Sequence, residues 1–278
     1  MLSYILFIGA LAITVSGQCS RTFLKNITTS YIDAQSKGTP TGIINLASNV
    51  TYTEQFTPVD IRVGILSKAL KLDFNRSFHD AVACSTFTEI LVTDPNHPYV
   101  IGTRIETDGK NINKIESLVT DQGDWAFNAT GFAYWNSLEK WDPIPEAERD
   151  SREVIKAAGD AYFDRFGNAN ASVPWGTPCA RLEGGAYTGR GNLSANTCNL
   201  GLPSTIKVVN RRYVIDEEMG AVDIYVGFPG LDRASPDPTP DSHLFRVEKG
   251  KLRYIHTLST CEGHPGCGLG NGTSFLGL

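Results

Sequence analysis

The sequence contains no run of lysine or arginine, and its formal net charge is -5. It therefore offers no basic face to neutralise phosphates, and nucleic acid is not an expected partner. The glycine cluster Gly184-Gly185-x-x-x-Gly189-x-Gly191 lacks the Lys-Ser/Thr pair of a phosphate-binding loop, and there is no Gly-x-Ser-x-Gly elbow. Nucleotide hydrolysis and serine esterase chemistry find no support. After the stretch Ile5 to Val15 there is no apolar run long enough to cross a bilayer, so no membrane anchor is expected. With 41% apolar and 20% charged residues among 278, the chain can bury a core of one or two domains.

The Ile5 to Val15 stretch has the length of a secretory signal core, and Val15 and Gly17 provide small residues at a cleavage site, although no basic residue precedes it. Residues 1–17 are read as that signal. Seven Asn-x-Ser/Thr acceptors among sixteen asparagines point the same way: Asn26, Asn49, Asn75, Asn128, Asn170, Asn192 and Asn271. A secreted protein is expected. Its six cysteines then favour disulfides. Fifteen pairings are open; proximity favours Cys179 with Cys198 and Cys261 with Cys267, which leaves Cys19 with Cys84. Cys261-x-x-His264-x-x-Cys267 has spacing that suits part of a zinc site, but the secretory context and the absence of a fourth ligand nearby favour a disulfide loop, and no metal is expected.

Two stretches share an order of features, as in an internal duplication. Thr103-Arg104-Ile105-Glu106, a turn at Gly109-Lys110, then Ile112, Ile115 and Leu118 parallels Phe245-Arg246-Val247-Glu248, a turn at Gly250-Lys251, then Leu252, Ile255 and Leu258. Both read as hairpins, with the longer turn in the first. Upstream, Asn75-Arg76-Ser77-Phe78 echoes Asn210-Arg211-Arg212-Tyr213, each followed by a strand bearing an acid, Glu89 or Asp223. Each half opens with a helix. Ser20 caps the first, with Leu24, Ile27 and Tyr31 on its buried face; Asp150 and Glu153 resemble a capping box for the second, whose stripe is Ile155, Ala158, Tyr162 and Phe166. The expected fold class is α+β, with domains at 18–122 and 150–260, an aromatic connector at 123–149 and a tail at 261–278.

Ile44-Asn45-Leu46-Ala47-Ser48-Asn49-Val50-Thr51-Tyr52-Thr53-Glu54, following its helix, resembles the ketosteroid-isomerase-like, or SnoaL-like, superfamily of cone-shaped folds, and the second half looks like a divergent copy. The mature chain is also similar to a family of secreted fungal proteins through Val173-Pro174-Trp175-Gly176, Pro178-Cys179-Ala180-Arg181-Leu182-Glu183-Gly184-Gly185 and Arg211-Arg212-Tyr213-Val214-Ile215-Asp216-Glu217. The superfamily resemblance implies two cones, each a helix on a curved antiparallel sheet, whose few inward polar groups bind a small molecule or transfer protons in isomerisation, dehydration, cyclisation or epoxide opening. Some proteins of this kind sit in fungal natural-product pathways, including those that join maleidride monomers. Many members pair their sheets. Duplication within one chain supplies that pairing, so a monomer is expected.

A two-residue turn at Lys249-Gly250 pairs Glu248 with Lys251 and, counted outward, His243 with His256, placing both imidazoles on one apolar face as candidate acid and base. Asp223 is a candidate orienting group or base, and Tyr213 a candidate oxyanion donor. Arg181 and Glu183 flank Leu182 and share a strand face, as an ion pair or a substrate-binding fork. A lesser candidate in the first half groups His79, Asp80, Tyr52, Glu54 and Arg104, and the positions matching His256 and His243 are read as Glu116 and Ile101. The leading expectation is acid/base chemistry on a small carbonyl metabolite without a cofactor; the alternatives are a ligand-binding protein and a polysaccharide lyase using the Arg181 fork.

Overall fold

A computed structural model of the chain describes residues 19–232, 235–261 and 264–268; the expected signal segment, Asn271 and the rest of the tail lie outside the described residues. The first half runs through helix α1 (Arg21–Lys37) and strands β1 (Leu46–Glu54), β2 (Thr57–Pro58), β3 (Phe74–Asp80), β4 (Ser85–Val92), β5 (Tyr99–Thr107) and β6 (Ile112–Thr120). A connector carries α2 (Ala129–Asn136). The second half repeats the order with α3 (Arg152–Gly167), β7 (Trp175–Glu183), β8 (Ala186–Tyr187), β9 (Val209–Asp216), β10 (Ala221–Phe228), β11 (Thr239–Glu248) and β12 (Lys251–Ser259). The result is an α+β protein with two six-stranded sheets of identical order, β2-β1-β6-β5-β4-β3 and β8-β7-β12-β11-β10-β9. In each, the first strand runs parallel to the last and the other pairings are antiparallel.

Each helix lies on one face of its own sheet because its apolar residues recur at helical spacing. Leu24, Ile27 and Tyr31 are fully buried along α1, and Ile155, Ala158, Tyr162 and Phe166 along α3, each large side chain contributing about 1.5–3 kcal/mol. Ser20 caps α1 by accepting from the Phe23 amide. The cap of α3 is Ser151, not Asp150; Asp150 instead accepts from the Gly250 amide and pins the β11–β12 turn. Three disulfides, Cys19–Cys84, Cys179–Cys198 and Cys261–Cys267, follow the proximity pairing, which settles the Cys261–Cys267 segment as a disulfide loop. Among the described residues no helix is long and apolar enough to cross a membrane.

The other faces of the two sheets pack against each other. Phe78, Phe87 and Leu118 of the first half join Val214, Ala221, Tyr225 and Leu244 of the second and Trp141 of the connector in one buried cluster. Two ion pairs frame it reciprocally. Arg21, the first residue of α1, grips Asp216 at the end of β9 through two hydrogen bonds of 2.8 and 2.9 Å. Arg152, the first residue of α3, grips Asp80 at the end of β3 through two of 2.7 Å. Each aspartate also accepts a backbone amide from the opposite half, His79 N to Asp216 and Ile215 N to Asp80. The two aspartates are buried and occupy the same place in their sheets, so the halves are related by an approximate two-fold axis. The echo between Asn75-Arg76-Ser77-Phe78 and Asn210-Arg211-Arg212-Tyr213 is offset by one: Phe78 and Val214 are equivalent, and Glu89 matches Tyr225, because Asp80 and Asp216 fix the alignment.

Removing either arginine strands a buried carboxylate. Arg21→Ala and Arg152→Ala are each expected to cost about 3 kcal/mol, with similar losses from the two ends of the axis. Urea unfolding measures this; a loss below about 1 kcal/mol in either variant contradicts a clamp of this kind.

Candidate functional site

The β11–β12 hairpin sets which side chains can meet. Its turn is the expected one, with Lys249 and Gly250 both at positive φ and Glu248 opposite Lys251. Val247 then pairs with Leu252 and Arg246 with Tyr254, so Arg253 is the extra residue of a bulge. The bulge shifts every later pair by one. His243 lies opposite Thr257 and His256 opposite Leu244, and the two histidines face opposite sides of the sheet rather than sharing one. The first hairpin bulges at the same place, with Asn113 extra between Ile112 and Lys114.

On the helix side, three rows of side chains cross β11, β12 and β7: Asp241 beside Ser259, His243 beside Thr257 and Glu183, and Phe245 beside Ile255 and Arg181. All of these except Phe245 and Ile255 line a cavity of about 350 Å³, together with Tyr162 and Phe166 of α3, Leu202 and Ile206 of the loop before β9, and Trp125 of the connector. His243 is held by Asp241, Nδ1 to Oδ1 at 2.6 Å, and the Ser259 hydroxyl donates to the other Asp241 oxygen at 2.5 Å. No hydrogen bond occupies His243 Nε2 among the described residues. Arg181 pairs with Glu183 at 2.8 Å and donates to the Cys198 carbonyl at 3.0 Å. Burial opposes the Arg181 charge, but Glu183 and Tyr162 together more than offset it and hold the guanidinium above its ordinary range. Burial pushes the Tyr162 hydroxyl above its ordinary value despite the adjacent Arg181, so it remains a neutral donor. Trp125 Nε1 donates to Glu183 at 3.1 Å, so a residue of the connector closes part of the second-half cavity.

The first half answers the same positions with different chemistry. Strand register places Thr103 where the second half has His243, Ile101 where it has Asp241, Val119 for Ser259, and Tyr52 and Glu54 for Arg181 and Glu183. The match to His243 is therefore Thr103, whereas Glu116 does match His256. Tyr31, the counterpart of Tyr162, donates to Thr103 at 2.7 Å, and Tyr52 donates to Glu54 at 2.6 Å. The lesser candidate site does not assemble: Asp80 serves the Arg152 clamp, His79 bonds Thr28 at 3.0 Å, and Arg104 pairs with Glu116 and Glu106. A cavity of about 480 Å³ opens beside Glu54, Lys68 and His97.

Of the candidates, Arg181, Glu183 and His243 are brought together at one cavity. His256 lies on the opposite face, buried between Glu89 of β4 at 2.8 Å and Glu139 of the connector at 2.7 Å. Arg76 completes the cluster at 2.8 Å from Glu89. Burial pushes the His256 imidazole down, but the carboxylates of Glu89 and Glu139 more than offset this and raise it to about 9. Glu89, pushed up by burial, is brought down to about 2 by His256 and Arg76. Asp223 is also between the sheets, where burial holds its carboxyl well above the ordinary range despite a 2.6 Å hydrogen bond from Ser242. Tyr213 donates to Asp160 of α3 at 2.8 Å, outside the cavity lining.

Sequence reasoning missed Asp241, Ser259, Tyr162 and Trp125 as site residues. Asp241 was readable, since it precedes His243 by two on a strand and so shares its face. Ser259 depends on the bulge and Trp125 on the path of the connector, neither of which local pattern reveals.

Residues 148–259 match the model of a domain of unknown function, DUF8021. That span runs from just before α3 to the end of β12 and contains every residue of the cavity's polar rows. No curated protein matches the chain by sequence. A solved DUF4783 family protein from Bacteroides fragilis is similar at 21% identity, over 33% of this chain and 96% of its own, with a TM-score of 0.25.

His256 makes the interface sensitive to alkali. Its folded pKa, about 9, lies above the ordinary 6.5, so its stabilisation is complete below about pH 6.5 and is lost as pH rises through about 9. Comparing thermal midpoints of the parent and His256→Gln across this window should show a gap that narrows with rising pH; a constant gap contradicts a buried imidazolium.

Proposed function

We propose that the chain is a secreted enzyme, a tandem of ketosteroid-isomerase-like cones similar to a secreted fungal family, in which the second half performs acid/base chemistry on a small carbonyl metabolite. The reaction is an isomerisation, dehydration or cyclisation needing no cofactor, in a natural-product pathway such as those that make maleidride-like compounds. The observation that carries this reading is the 2.6 Å bond from His243 Nδ1 to Asp241 at the wall of a largely apolar cavity.

The carboxylate favours the proton on Nδ1, which leaves Nε2 as an acceptor toward bound substrate. Ser259 fixes the second oxygen of Asp241 and thus the angle of the pair. Nε2 takes a proton from carbon next to the carbonyl and returns it elsewhere, while the neutral Tyr162 hydroxyl donates toward charge developing on the carbonyl oxygen. The three disulfides and the absence of a membrane-crossing helix among the described residues agree with secretion. The sheet faces that cover each other within one chain favour a monomer.

A ligand-binding protein is the second reading, favoured by the mutual neutralisation of Arg181 and Glu183. The same pairing leaves less support for a polysaccharide lyase, because the guanidinium is already engaged by Glu183 and the Cys198 carbonyl.

Metabolite profiles of the source organism with and without the gene identify the precursor, which should accumulate when the gene is lost. With that precursor in deuterated water, the purified protein should incorporate deuterium next to the carbonyl, and His243→Ala should slow this by about 10²–10⁴ while the fold persists. Unchanged exchange in the variant contradicts the assignment; binding without exchange or product selects the second reading.

A further inference from the structure

In the first half, three hydroxyls close on one another on the helix side of the sheet. Tyr31 donates to Thr103 at 2.7 Å, and the Thr103 and Ser117 oxygens lie 2.9 Å apart. Their counterparts in the second half are Tyr162, His243 and Thr257, because Thr103 pairs with Ser117 as His243 pairs with Thr257, and Ser117 stands beside Glu54 as Thr257 stands beside Glu183. All three counterparts line the cavity of about 350 Å³. Among the described residues no hydrogen bond joins them: Tyr162 lies against Arg181, and His243 gives one nitrogen to Asp241. The Thr257 hydroxyl has no hydrogen-bond partner among the described residues, although the residue is only 3% exposed. A buried hydroxyl without a partner destabilises the chain that carries it, and a ligand oxygen at the cavity wall relieves this.

Charge narrows the ligand further. Among the described residues the lining holds one guanidinium, Arg181, against two carboxylates, Glu183 and Asp241. A carboxylate ligand meets this excess of negative charge while the guanidinium is already engaged by Glu183 and the Cys198 carbonyl. An ammonium finds no free carboxylate oxygen, since those of Asp241 are bonded to His243 and Ser259 and those of Glu183 are engaged by Arg181 and Trp125. Phe166, Leu202, Ile206, Phe228 and Leu231 supply apolar wall. The volume is at the small end of the range for ligand cavities, about 300–1,000 Å³.

Resting on the reading that this cavity takes a small carbonyl compound, we propose that the compound is uncharged and carries a second oxygen, in a ring or a hydroxyl, that hydrogen-bonds to Thr257. Thr257 is then a positioning residue for the ligand. Directly paired strand residues have Cβ atoms about 4.5–5.5 Å apart, so the oxygen held by Thr257 lies close along the ligand to the carbon presented to His243. A lactone has this chemistry, and the fatty acid of the same carbon count does not.

The test titrates the full chain by calorimetry near neutral pH with three probes of one carbon count, δ-decalactone, decanoate and decylamine. The lactone should bind at least about tenfold tighter than either ion. Decanoate or decylamine binding as tightly as the lactone overturns the uncharged class, and so does a lactone Kd above about 1 mM. Thr257→Val replaces the hydroxyl with a methyl group of similar size. It should weaken the lactone about tenfold, the equivalent of one hydrogen bond, leave the thermal midpoint of the ligand-free protein unchanged or raised, and be rescued by Thr257→Ser. Unchanged lactone affinity in Thr257→Val overturns the positioning role; a lowered midpoint without ligand also overturns it, because the hydroxyl then serves the fold. These binding outcomes are independent of turnover. Loss of deuterium exchange in His243→Ala alongside tight decanoate binding sinks this inference alone, whereas lactone selectivity in a protein that exchanges nothing sinks the catalytic reading alone.

Discussion

The rest of the structure depends on the reciprocal pairing of Arg21 with Asp216 and Arg152 with Asp80. An arginine in the first turn of a helix faces the positive end of the helix dipole, an arrangement that costs about 0.3–1 kcal/mol. Here it is offset by a two-pronged bond to a buried aspartate that also accepts an amide from the other half. A sheet with a helix on one face must cover the other, and in this chain each half covers its partner. The approximate axis therefore fixes the interface, turns both helices outward and leaves the helix-side space of each sheet as the place where a ligand can be held.

That symmetry is structural and not chemical. Tyr31 and Tyr162 are equivalent, yet one donates to Thr103 and the other lies against Arg181. Ile101 and Val119 stand where Asp241 and Ser259 orient His243. The first half thus closes its interior with hydroxyl-to-hydroxyl and hydroxyl-to-carboxylate bonds, while the second retains an imidazole with one nitrogen fixed and one without a partner among the described residues. The interface has its own asymmetry, because His256 and Glu116 occupy matching positions and only His256 sits between two carboxylates. The chain uses one imidazole to hold its halves together and offers another to the cavity.

Much of the fold was legible because it rests on periodicity and spacing. The duplication, the buried stripes of both helices, the β11–β12 turn and the Cys179–Cys198 and Cys261–Cys267 disulfides could be read from pattern and spacing, and Cys19–Cys84, 65 residues apart, followed only as the remaining pair. Arg181 and Glu183 were also legible as an alternating pair on one strand face. The pairing of His243 with His256 was not, because one extra residue at Arg253 inverts the face of everything beyond it. The clamps were hidden for another reason: Arg21 and Asp216 look like ordinary charges until the two sheets are brought together. Asp223 and His256 read as candidates because each is a titratable group on an apolar strand, and the structure places both between the two sheets.

The most direct test of the account is a crystal structure of the protein with the precursor that accumulates in its absence. The account predicts the molecule in the second-half cavity, with the carbon that loses its proton about 3–3.5 Å from His243 Nε2 and the carbonyl directed toward Tyr162. A molecule bound instead beside Glu54 and His97 in the first half, with the second cavity empty, would contradict it.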